Sequence, residues 1–126
     1  MNLTANMSNS FSSVNQIQAG SLYTWGEFGP GLGRNLSTDR PETEDPAIVS
    51  GFSGNVEKVN FGKYHTGVIT SDGRLYTFGL DQNGSLGLGK KGAVVPEPAE
   101  VDLKGARAQE VSCGISHTIV LTTDGQ

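Results

Sequence analysis

The chain spells the same sentence more than once. Gly62-Lys-Tyr-His-Thr-Gly-Val-Ile-Thr-Ser-Asp-Gly73 returns as Gly114-Ile-Ser-His-Thr-Ile-Val-Leu-Thr-Thr-Asp-Gly125 at an offset of 52. Gly20-Ser-Leu-Tyr-Thr-Trp-Gly26 stands 53 positions before Gly73-Arg-Leu-Tyr-Thr-Phe-Gly79. Gly31-Leu-Gly33 and Ser85-Leu-Gly87 follow their strands at similar distances, while Pro46 and Pro98, like Val59 and Val111, recur 52 apart. A period of roughly 50 residues marks a propeller blade or a solenoid unit, because one short unit cannot bury its own apolar face and must stack on its neighbour. The local patterns are strands and turns, which favours the propeller.

Each copy reads as a hairpin. His65 to Thr70 forms one strand and Leu75-Tyr-Thr-Phe78 the return, with β-branched and aromatic residues suited to a pleated surface. Asp72-Gly73 between them is the pair a type I′ turn prefers, since both central residues take positive φ. Val56-Glu-Lys-Val-Asn-Phe-Gly62 alternates apolar and polar residues as a half-buried strand does. Its echo is Ala108-Gln-Glu-Val-Ser-Cys-Gly114, so Cys113 holds the place of Phe61 and is expected to point inward with Val111. That makes it a small buried hydrophobe; no base or cation stands beside it to make a nucleophile. Trp25 and Phe78 share one repeat position and are expected to be equivalent buried packing residues.

Several spaced motifs now agree in order: Leu-Tyr-Thr-Trp/Phe-Gly, Leu-Gly, Pro, Val-x-Phe/Cys-Gly-x-x-His-Thr and Asp-Gly. This pattern resembles the regulator of chromosome condensation repeat. Asn83-Gly-Ser-Leu-Gly-Leu-Gly89 and Cys113-Gly-Ile-Ser-His-Thr118 are close to the family's spelling, while Glu27-Phe-Gly-Pro30 departs from it. The resemblance covers about Gly20 to Gln126. It implies an all-β fold: a partial β-propeller of about two four-stranded antiparallel blades, from a seven-bladed whole. On this reading residues 20–126 are about two repeats, incomplete at the C-terminal end, and the remaining blades come from a longer chain or another subunit.

Composition bounds the rest. The chain has 126 residues, 18 of them glycine, and 35% hydrophobic residues, which suits a loop-rich β protein. One cysteine cannot make an internal disulfide, so an intracellular setting, cytoplasmic or nuclear, is expected. A net charge of −4 argues against direct nucleic-acid binding, which needs a basic face. No apolar run approaches a membrane span of about 18 residues. Residues 1–19 carry no Lys, Arg, Asp or Glu and lack the basic start and apolar stretch of a signal peptide. They read as a disordered polar tail, although the alternation in Val14-Asn-Gln-Ile-Gln18 also suits a short strand. Asn2, Asn6, Asn35 and Asn83 begin Asn-x-Ser/Thr triplets that, without a secretory signal, read as chance matches.

Chemical motifs are few. Gly84-Ser-Leu-Gly-Leu-Gly-Lys-Lys91 mimics a phosphate loop, but Lys91 replaces the magnesium-binding hydroxyl residue. Pro96 and Pro98 deny the helix whose N-terminus would face the phosphates. His65 and His117 occupy one repeat position with no further ligands around them, so they read as structural strand-end residues rather than a metal pair. The resemblance gives this His the same structural role. No nucleophile elbow, metal-protease or kinase signature is present. No cofactor, catalytic or metal residue is therefore assigned.

Function must then come from surfaces. The polar loop Arg34 to Pro46 carries Asp39, Glu42, Glu44 and Asp45, and is the candidate contact loop for a basic protein partner. The preferred reading is a non-catalytic protein–protein interaction module. The alternative, which the resemblance supplies, is a guanine nucleotide exchange factor, or part of one, with a small GTPase as partner.

Overall fold

The computed structural model describes residues 2–6, 13–16, 20–26, 31, 33 and 43–124. The strands are β1 (Asn2–Asn6), β2 (Ser13–Gln16), β3 (Ser21–Gly26), β4 (Thr43–Val49), β5 (Val56–Phe61), β6 (His65–Thr70), β7 (Leu75–Leu80), β8 (Val94–Glu100), β9 (Ala108–Cys113) and β10 (Thr118–Thr122). They form a first sheet in the order β2-β1-β3-β4, a second in the order β5-β6-β7-β8, and a two-stranded sheet of β9 and β10. The second sheet is a simple antiparallel meander, with His65 opposite Gly79 and Val68 opposite Tyr76. This is the all-β, partial-propeller architecture the repeats imply.

Stacking the sheets makes two apolar cores. Leu22 and Val49 of the first sheet meet Val56, Val68, Tyr76 and Phe78 of the second. On the second sheet's other face, Ile69 and Leu75 meet Ala108 and Val111 of the third. Neighbouring residues Val68 and Ile69 therefore serve opposite cores, as the two-residue period of a strand requires. Every residue of β6 is buried for this reason. The edge of the second sheet is β8, which tolerates Pro96 and Pro98 because an edge strand has one face of its backbone unpaired.

Phe78 is fully buried and packs directly over Gly33. A β-carbon on Gly33 would stand 2.8 Å from Phe78 Cε2 and 2.9 Å from Val49 Cγ1, closer than such atoms approach. The recurring Leu-Gly element after β3 is thus the floor on which the next sheet's aromatic ring rests. Trp25, expected to match it, is only half-buried. The repeat position is the same, but among the described residues no sheet lies before the first one to cover it.

Three further expectations are corrected. The segment 1–19, read as a polar tail, supplies β1 and β2. β1 pairs with β3, and β2 with β1, through backbone ladders that any residue can supply. The pairing of β1 with β3 is parallel, so the first sheet is not purely antiparallel. The turn at Asp72-Gly73 is not type I′, because Gly73 alone has positive φ, at 80°. Gly73 N donates to Thr70 O at 2.9 Å and Thr70 N to Arg74 O at 3.0 Å. These bonds close a three-residue loop, a type I turn followed by a left-handed glycine. The Thr70 hydroxyl bonded to the Asp72 carboxylate fixes it, and Thr122 with Asp124 repeats that bond.

Removing the Phe78 ring should cost about 3–5 kcal/mol, the usual range for a buried Phe→Ala. Trp25→Ala should cost about 1–2 kcal/mol, since less of its area is removed from water. Denaturant melts of the two variants check the ranking. Gly33→Ala should add overpacking of about 1–3 kcal/mol to backbone strain. Gly84→Ala, also at positive φ but facing open space, should show the strain alone, about 1–2 kcal/mol. Equal losses at the two glycines would show that Phe78 does not rest on Gly33.

Candidate interaction surface

The stacked sheets are tied along their length by bonds that recur with the repeat. Thr66 Oγ1 donates to Gly31 O at 3.0 Å, and its counterpart Thr118 donates to Ser85 O at 2.7 Å. Val56 N donates to Gly20 O at 3.2 Å, and its counterpart Ala108 N to Gly73 O at 2.8 Å. Asn60 Oδ1 accepts from Cys113 N at 2.7 Å, and Lys58 pairs with Glu110 across the same seam. Gly62 N donates to His65 O and Gly114 N to His117 O, so the Gly-x-x-His spelling is a tight turn in both copies.

His65 completes the seam. Its ring is fully buried, and Nε2 lies 2.8 Å from Thr118 Oγ1. Thr118 gives its one proton to Ser85 O, so its hydroxyl accepts from His65, which assigns the Nε2–H tautomer. The other nitrogen, Nδ1, is buried with no hydrogen-bond partner. Burial holds the imidazole below its usual pKa of 6.5, opposed in part by the nearby backbone of His117. His117, at the same repeat position, is exposed because no described sheet lies beyond the third. Cys113 sits between the same sheets, and burial pushes its thiol up to about 11. It is protonated at neutral pH and has no nucleophilic character there.

Beyond the seam, the β7–β8 connection is a built loop. Asp81 is buried at its root, accepting from Leu86 N at 3.4 Å while its backbone exchanges bonds with Ala93 O and Gly92 N. Ser85 N donates to Gln82 O, and Ser85 Oγ accepts from Gln82 N at 3.2 Å. The loop therefore holds its shape and presents Asn83, Gly84, Lys90 and Lys91 to solvent. Residues 84–91 run through turns and bends into β8 without a helix, which removes the phosphate-loop reading.

The acidic residues singled out in the sequence come after β3. Asp39 and Glu42 lie outside the described residues. Glu44 and Asp45 fall at the start of β4. Sequence reasoning did not single out the exposed basic pair Lys90 and Lys91 of the β7–β8 connection as contact candidates.

The buried His65 sets a pH dependence. Its folded pKa lies below the unfolded value of 6.5, so its contribution to stability is intact above that pH. It is lost as pH falls from about 6.5 through the folded pKa, because the unfolded chain binds the proton more readily. Urea melts should show stability declining below that pH, and His65→Gln should flatten the slope while lowering stability throughout.

The regulator of chromosome condensation (RCC1) repeat matches residues 72–121, and a second form of the same repeat matches residues 56–85. "Protein RCC2 homolog" of Xenopus laevis is 32% identical over 108 residues, covering 84% of this chain and 20% of that protein. "Secretion-regulating guanine nucleotide exchange factor" of Bos taurus is 34% identical, covering 86% of this chain and 23% of that protein. The crystal structure of Prp20p from Saccharomyces cerevisiae, solved with "its binding properties to Gsp1p and histones", superposes with a TM-score of 0.68. It is 25% identical and is covered to 30%, against 90% of this chain. The chain thus spans about a fifth of the curated relatives it matches. The two repeat matches together span residues 56–121, just over half of the chain, and fall on the stacked hairpins and their seam: the chain belongs to the regulator of chromosome condensation repeat family.

Proposed function

We propose that these repeats are a protein–protein interaction module that works inside the cell through loops at one end of its stacked sheets. One observation carries the reading. The repeat's aromatic and histidine positions in the second sheet, Phe78 and His65, are consumed by packing and by the seam, while the connection at Asp81–Ala93 is held rigid and presented outward. A preformed loop loses little conformational freedom when a partner docks. Lys90 and Lys91 are exposed on this connection, and Asp39, Glu42, Glu44 and Asp45 are carried as candidate acidic contacts on the sequence alone. A protein partner fits better than a nucleic acid, whose uniform phosphate charge the net −4 of the chain opposes.

A second reading is supported by particular likenesses. One relative is a guanine nucleotide exchange factor, and the solved Prp20p is described by its binding to Gsp1p. Exchange needs no covalent chemistry: a partner that binds the nucleotide-free GTPase more tightly weakens nucleotide affinity by linkage. A small GTPase is the partner class on this reading.

Two measurements test these readings. In pull-downs and titrations with candidate protein partners, Lys90→Glu with Lys91→Glu, or charge reversal at Asp39, Glu42, Glu44 and Asp45, should slow association and reduce its salt dependence, with melts unchanged. Binding indifferent to both sets of reversals removes this end of the repeats as the contact surface. Nucleotide release from a panel of small GTPases then separates the readings: acceleration by the chain supports exchange, and partner binding without release supports the interaction module.

A further inference from the structure

A cavity of about 260 Å³ lies at the other end of the second sheet from the β7–β8 connection. The β6–β7 turn and the β8–β9 connection enclose it, and its charged lining is Asp72, Arg74, Glu100, Asp102 and Arg107. The repeat itself does not call for most of these charges. At the equivalent positions the preceding repeat has Ser21 for Arg74, Ile48 for Glu100, Ser50 for Asp102 and Asn55 for Arg107. The seam forms either way: Val56 N donates to Gly20 O beside Asn55, as Ala108 N donates to Gly73 O beside Arg107. Asn55 and Arg107 are both exposed, so this position faces solvent at each seam.

The five charges are not equally engaged. Asp72 lies 3.2 Å from Arg74 Nε and also accepts from the hydroxyls of Thr70 and Ser53. Glu100 lies 3.2 Å from Arg74 Nη1. Asp102 accepts from Lys104 N at 2.9 Å and from Lys104 Nζ at 3.3 Å. Each carboxylate is thus paired, and Arg74 is shared between two of them. Arg107 has no ion pair or side-chain hydrogen bond among the described residues. Its stem is nonetheless placed. A β-carbon on Gly73 would stand 2.9 Å from Arg107 Cβ and 3.0 Å from its Nε, so the stem lies across the bare face of the turn. Arg107 O accepts from Thr123 N at 2.9 Å, which pins the backbone beneath it. The cavity therefore presents one positioned guanidinium with its donors unspent.

We propose that this cavity receives a carboxylate side chain of a protein partner, held by the Arg107 guanidinium. A guanidinium offers two parallel donors that match the two oxygens of a carboxylate. The charges around it select among oxyanions. Three carboxylates line the same cavity, so they repel a phosphate monoester, which carries about −1.5 to −2, more than a singly charged carboxylate. The volume selects the source. It falls below the roughly 300 Å³ at which small-molecule pockets begin, yet it admits one acidic side chain whose flanking residues bind outside. The class of partner rests on the interaction-module reading. The surface does not, because Lys90 and Lys91 belong to the opposite end of the sheet.

Nuclear magnetic resonance titrations of the isotope-labelled 126-residue chain test this, with a short glutamate-rich peptide, sodium acetate and inorganic phosphate as probes at constant ionic strength. The peptide should shift the amide signals of residues 72–75 and 101–107 and the Arg107 Nε–H signal. Acetate should shift the same signals at higher concentration, and phosphate should shift them less than either. Arg107→Asn installs the residue of the preceding repeat and should melt as the parent chain does. It should weaken peptide binding at these signals by about tenfold or more. Lys90→Glu with Lys91→Glu should leave them responsive. The proposal is overturned by unmoved signals in both segments, by shifts that survive Arg107→Asn, or by phosphate binding as tightly as the peptide. Acetate binding as tightly as the peptide overturns the protein source. None of these results touches the interaction-module reading, which falls separately if pull-downs capture no protein partner.

Discussion

The packing of one sheet's aromatic ring on the preceding sheet's glycine is the contact on which this structure turns. Phe78 lies over Gly33 with no room for a β-carbon between them. That closeness draws Leu22 and Val49 into the same core as Val68 and Tyr76. A sheet of this size cannot bury its own apolar face, so each repeat gains its stability from the neighbour rather than from within. The second sheet, covered on both sides, shows the result: β6 is buried along its whole length, with adjacent residues serving different cores.

Polar bonds then fix how far one sheet rotates on the next. The threonine after the histidine reaches back to a carbonyl of the preceding loop in both copies, and the histidine of one copy reaches forward to the threonine of the next. Burying polar groups is costly unless each is matched. The seam matches most of them, leaving His65 Nδ1 and Asp81 Oδ2 buried and unpaired. The motif Gly-x-x-His-Thr is therefore one bonding unit spread over two sheets. In the second sheet its imidazole and hydroxyl groups are held inside the stack.

What remains for function is geometry at the ends of the sheets. A stack that consumes its aromatic residues inside exposes connections whose sequence is free to vary, because the scaffold beneath them is fixed elsewhere. The β7–β8 connection is shaped by Asp81 and Ser85 from within. The membership of relatives with different names in one family agrees with this division, since fold and function are specified by different residues.

The sequence by itself determined the repeat. Two offsets, 52 and 53, located the hairpins, paired Phe61 with Cys113 and Trp25 with Phe78, and implied stacked antiparallel sheets. They were legible because strand period, turn residues and close-packed glycines leave local signatures. The offsets could not say which member of each pair is covered, because that depends on whether another sheet lies in front of it. His65 is buried and His117 exposed, and Phe78 is buried while Trp25 is half-covered, from nearly identical spelling. Likewise, Asp72-Gly73 alone does not choose between turn types; the bonds of Thr70 to Gly73 and Asp72 do. The parallel approach of Asn2–Asn6 to β3 had no side-chain signal at all, because that pairing is made by backbone, which every residue carries alike.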